Sequence, residues 1–158
     1  MIRICLFVVS FAVFFVACSS HGSYYYQGSS AYNKNLVSKL YSVQRQWSKT
    51  PYKLGGTSPR GADCSGFTQT VFLNNFAVKI PRTTRLQMQS GQTVSRRNLR
   101  AGDLLFFRTG RGPSGLHVGI YTRNGKFIHL STRGGVKEVS LNTRYWGSKY
   151  LGARRYLR

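Results

Sequence analysis

Apolar residues recur at Leu36, Leu40, Val43 and Trp47, the spacing of one helical face, with Asn35 placed to cap the start and Pro51 bounding the end. A second helical face runs through CSGFTQTVFLNNF, where Phe67, Val71, Phe72 and Phe76 fall on one side and Asp63 stands at the cap. Between the two, Gly55-Gly56-Thr57-Ser58-Pro59-Arg60-Gly61 reads as loop. After Pro81 a short helix is expected from Thr83 or Thr84 to Gln89. The second half changes period. LLFFR (104–108), HVGIYT (117–122), KFIHLST (126–132), KEVSL (137–141) and YLGARRYL (150–157) are short, rich in β-branched and aromatic residues, and separated by turn signals. Helices followed by strands predict an α+β domain, its helices packed on an antiparallel sheet.

The N-terminal pattern is different. MIRICLFVVSFAVFFVA carries one early charge, Arg3, and then an apolar run too short to be a comfortable membrane span, as a secretory signal does. The run ends in Val16-Ala17-Cys18, which resembles a bacterial lipoprotein processing site. The resemblance implies removal of residues 1–17, lipid on the Cys18 sulfur and acylation of its amine. Several acyl chains would make a stable membrane anchor. By analogy with enterobacterial lipoproteins, Ser19 gives no reason for inner-membrane retention, so the outer membrane, facing the periplasm, is expected. Residues 18–34, Ser/Gly/Tyr-rich without hydrophobic periodicity, read as a tether. The folded domain is expected over 35–158. His21 falls in the tether and is read as solvated.

Charge narrows the partners. Twenty-four Lys and Arg oppose three acids, Asp63, Asp103 and Glu138, for a formal net charge of +21. Such a field usually points to nucleic acid. Export argues against that, leaving acidic lipid headgroups and the carboxylates of cell-wall peptides as the anions at hand.

Cysteine usage narrows the chemistry. Cys5 leaves with the signal and Cys18 is consumed by lipid, so Cys64 has no partner for a disulfide. It is either buried filler or a reactive group. A helix start favours the second reading, because unpaired N–H groups and the positive end of the helix dipole stabilise a thiolate there. A free thiol titrates at roughly 8.5, and one at a helix start beside an imidazolium can fall to about 4. A thiol nucleophile needs a proton donor for the leaving group. Only His117 and His129 lie in the predicted sheet. A two-residue turn at Asn124-Gly125 would point them to opposite faces. A three-residue turn, Arg123-Asn124-Gly125 with Gly125 left-handed, pairs Thr122 with Lys126 and puts both histidines on one face as diagonal neighbours. That register also gathers Val118, Ile120, Ile128 and Leu130 on the other face, and register follows segregation. The three-residue turn is therefore predicted. The H-x11-H spacing offers no further ligand set, so no metal and no cofactor is expected.

PYKLGGTSPRGADCSGF, IPRTT, AGDLLFF, HVGIY and FIHLST, in that order, together resemble the NlpC family of cell-wall cysteine peptidases over about residues 36–158. The resemblance implies a papain-like fold and hydrolysis of peptidoglycan stem peptides, at the bond between D-Glu and the diamino acid or at a peptide cross-link. It implies Cys64 as nucleophile, His117 as proton acceptor and donor, and His129 as the residue orienting His117. Tyr52 matches a tyrosine near the oxyanion site. Asp63 and Ser65 match positions that contact the substrate's free amine, while Asp63 also has the simpler role of helix cap. A monomer is expected. A lipid-anchored, non-catalytic module that binds the wall or anionic lipid is the alternative, and acyl transfer in place of hydrolysis is a further one. The sequence does not select the bond cleaved, the physiological use of the cleavage, an activating partner or what the basic surface touches.

Overall fold

The computed structural model describes residues 22–110 and 114–158, with side chains placed from residue 31 onward. The signal segment 1–17, Cys18 and His21 lie outside the described residues. No helix among the described residues is long and apolar enough to cross a membrane.

Helix α1 runs Gly22–Gln46, beginning well before the expected cap at Asn35 and taking in residues read as tether. Residues 31–35 are all exposed, and burial starts at Leu36. The packed face is the predicted one: Leu36, Leu40, Val43 and Trp47 are buried. A two-strand hairpin follows, β1 Thr57–Ser58 and β2 Gly61–Ala62, inside the stretch read as loop. Helix α2 spans Cys64–Phe76 and α3 spans Thr84–Gln89. Strands β3 Gln92–Val94, β4 Leu104–Arg108, β5 Leu116–Tyr121, β6 Lys126–Leu130, β7 Val136–Ser140 and β8 Tyr150–Arg155 form one six-stranded sheet ordered β3-β8-β4-β5-β6-β7. All its pairings are antiparallel. Strand β3 and helix α4 (Arg144–Lys149) carry no predicted counterpart. A three-residue strand and a six-residue helix are too short to display a period.

The sheet is buried on both faces. On one, Val118, Ile120, Ile128 and Leu130 pack with Leu104 and Phe106 beneath α1 and α2. Phe67 and Phe72 of α2 are fully buried there; each contributes about 2–3 kcal/mol relative to exposure. On the other face Leu105, Phe107, Phe127 and Ala153 form a smaller core, against which Trp146 of α4 packs. The β5–β6 register pairs Ile120 with Ile128 and Tyr121 with Phe127. The connection is the three-residue turn, with Thr122 N–H donating to the Lys126 carbonyl at 2.9 Å and Gly125 at φ +71. Asn124 is left-handed as well, at φ +52.

Candidate active site

Helix α2 starts where Asp63, in extended conformation, turns its carboxylate back to accept the Gly66 N–H at 2.7 Å. Cys64 is the first helical residue and is 5% exposed. The Thr84 hydroxyl of α3 lies 3.6 Å from its sulfur, and the backbone N–H of Val118 in β5 is near enough to favour the thiolate. Val118 follows His117, so the sulfur is seated against the strand beside that histidine, beyond the point where the β5–β6 ladder begins at Ile120. Burial pushes the Cys64 thiol up, and the Asp63 charge adds to this. The bonds from Thr84, Val118 and the Ser65 N–H pull it down. Burial thus opposes the helix start, a force that the sequence does not reveal, and the depressed resting thiol expected from the helix start gives way to it.

The two histidines come together. His117 Nε2 lies 2.9 Å from His129 Nδ1, with the rings nearly perpendicular at 81°. Both rings contact Trp146, which stacks on His117 at 30° and meets His129 edge-on. Burial pushes His129 down to about 4, with Lys137 adding to the shift and the Leu130 backbone opposing it. His129 is thus neutral at neutral pH, and a neutral imidazole can accept one hydrogen bond while donating another.

Asp63 is held from several directions. Arg82 grips both carboxylate oxygens, at 2.9 and 2.7 Å, Gly55 N–H donates at 2.8 Å and the Ser65 hydroxyl at 3.2 Å. Burial alone would raise its pKa; the Arg82 guanidinium and the backbone donors outweigh it and hold the carboxyl below its ordinary range. Arg82 also bonds Ser65 Oγ and the Gly56 carbonyl, so it ties the helix start to the preceding loop. Tyr52 faces the same hollow, and burial with the nearby Cys64 and Asp63 pushes its hydroxyl up to about 12, keeping it a donor.

Two hollows adjoin at the head of β5. One, about 400 Å³, is lined by Tyr52, Asp63, Cys64, Ser65, Arg82 and Leu116 among others. The second, about 280 Å³, takes His117, His129 and Trp146 into its wall. Leu116 lines the first and His117 the second, so the strand divides them within one residue. The structure thus groups Tyr52, Asp63, Cys64 and Ser65 on one side and the histidine pair on the other, with the Val118 N–H carrying the sulfur to their border. Arg82, Thr84 and Trp146 had no predicted role. Arg82 had one signal, since a buried carboxylate calls for a cation, but nothing in the sequence chooses among 24.

Helices laid on one face of an antiparallel sheet, with the buried thiol where the two layers meet, make a papain-like architecture, the architecture of a class of cysteine peptidases. Comparison with known proteins then places the chain within that class. Residues 49–155 match the family model described as NlpC/P60 family. The chain is 42% identical over 152 residues to a probable endopeptidase of Haemophilus influenzae, covering 94% of each. It is 44% identical over 125 residues to murein DD-endopeptidase MepS/murein LD-carboxypeptidase of Escherichia coli, covering 79% of this chain and 65% of that one. A crystal structure of an NlpC/P60 family protein from Bacillus cereus superposes with a TM-score of 0.68 at 35% identity, over 77% of this chain and 40% of that one. The chain belongs to the NlpC/P60 family and is a cysteine-type peptidase.

Proposed function

We propose that the protein is a peptidoglycan hydrolase of the cell envelope that cleaves stem peptides through a thioacyl-enzyme on Cys64. The observation that carries this is the 2.9 Å contact of His129 with His117, on the strand whose Val118 N–H acts on the Cys64 thiol. The murein endopeptidase among its relatives supports the substrate class.

In this reading His129, neutral through burial, accepts the Nε2–H of His117 and fixes its tautomer, so that Nδ1 serves as base toward Cys64. The sulfur rests as a thiol and gives its proton to His117 as it attacks the carbonyl, forming the C–S bond. The Cys64 backbone N–H and the Tyr52 hydroxyl receive the developing oxyanion, and one such donor is worth about 3 kcal/mol of transition-state stabilisation. The imidazolium then protonates the leaving amine as the C–N bond breaks. Water, deprotonated by His117, displaces the sulfur and releases the acid. Ser65 contacts the acyl half of the substrate, while Asp63, gripped by Arg82, contributes its charge to that side. The bond is that between D-Glu and the diamino acid or a peptide cross-link, and the cross-link is favoured by the DD-endopeptidase relative. Lipid on Cys18 would hold the enzyme at the membrane beside its substrate.

Mass spectrometry of purified muropeptides, before and after incubation, tests the reading. The wild type is expected to release stem-peptide fragments. His117→Ala should lower turnover by about 100- to 10,000-fold, the usual worth of a general acid–base, and His129→Asn by less, since it removes orientation and not the proton carrier. Turnover unchanged in His117→Ala would overturn the assignment.

A further inference from the structure

The hollow beside the histidine pair carries two cations, Arg133 from the β6–β7 turn and Lys137 from β7. Lys137 stands directly opposite His129 in the β6–β7 register, so its side chain belongs to the same sheet face, and its charge is felt by the His129 ring. The chain has three carboxylate side chains, and each is already engaged: Asp63 by Arg82, Asp103 by Arg155 and Glu138 by Lys126. No acid lines this hollow. The hollow across the Leu116–His117 border is balanced by contrast, since its Asp63 carboxylate is matched by Arg82. Its neighbour therefore has an unmatched positive field within an aromatic-walled recess of about 280 Å³, room for a few heavy groups of a peptide.

We infer that this hollow, through Arg133 and Lys137, is an anion subsite that takes a carboxylate on the leaving half of the substrate. The inference rests on the hydrolase reading above and deepens it. His117 must reach the leaving amine, so the recess whose wall it forms is the side on which the departing peptide lies. A carboxylate placed there makes charge-assisted hydrogen bonds with a guanidinium and an ammonium. Peptides whose leaving half is neutral at that point lose both.

Two synthetic stem peptides, identical up to the scissile bond, test it: in one the leaving half ends in a carboxylate, in the other in a carboxamide. The full chain is expected to cleave the carboxylate peptide with a kcat/KM about 100-fold higher, chiefly through KM, as loss of two charged hydrogen bonds implies. In Arg133→Gln/Lys137→Gln that ratio should fall to about one, and in the charge-keeping Arg133→Lys/Lys137→Arg it should return. Equal alkylation rates at Cys64 in all three proteins would show that the site is folded. Equal cleavage of the two peptides by the wild type, or an undiminished ratio in the double glutamine variant, overturns the subsite and leaves the hydrolase reading standing. Cleavage of neither peptide by the wild type overturns both.

Discussion

His129 shows how burial fixes a role. Its ring lies among Phe127, Trp146 and His117 with 7% exposure, and desolvation pushes it down to about 4 from its ordinary 6.5. The consequence for stability has a definite sign. Above about 6.5 the ring is neutral in both folded and unfolded chains. Between 6.5 and 4 the unfolded chain binds a proton that the folded one does not, so stability falls as pH falls. The full loss is about 3 kcal/mol. Asp63, held low, adds stability that is present above its ordinary 3.8 and is lost only below it, so the two windows separate. Urea midpoints from pH 7 to 4 should decline in the wild type and flatten in His129→Gln; equal slopes would show that the ring is not buried as a neutral base. That His117 and His129 share a face was legible in the sequence, because one register alone segregated the apolar positions. Burial of Cys64 was not, since it depends on Thr84 and Val118 arriving from other elements.

The start of α2 is built by close approach. A Cβ on Gly66 would meet the Gly56 carbonyl oxygen at 2.1 Å, and that oxygen is itself held by the Asp63 N–H and by Arg82. Loop and helix can approach this closely only without a side chain at 66. Gly66→Ala is expected to cost about 1–3 kcal/mol as overpacking and to displace Cys64 from Thr84 and Val118. A thermal melt and the Cys64 alkylation rate check it, and wild-type values for both would contradict it. The elements bearing the site, α2 and β4 to β8, were legible from their periods and bounding turns. The N-terminal turns of α1 were not, because residues 31–35 touch no core, and α4 was not, although it supplies Trp146 to both histidines. Short elements are held by the tertiary contacts they make, and those have no local signature.

The whole molecule sets a compact two-faced sheet within a strongly basic chain. Helices α1 and α2 cover one face and seat the thiol; α4 helps to cover the other and walls the histidines. With all three acids committed to ion pairs, the remaining cations define the field that a wall carboxylate meets, and Arg133 and Lys137 bring that field to the border of the site. Sequence revealed the size of the charge and not its placement, because lysines and arginines spread along the chain converge only on folding. The chemistry begins with the sulfur of Cys64 as the atom that attacks. The most direct measurement is the release of stem-peptide fragments from purified muropeptides by Cys64→Ala, with circular dichroism confirming its fold. Folded protein that releases none is the predicted result, and folded protein that releases fragments at the wild-type rate would contradict it.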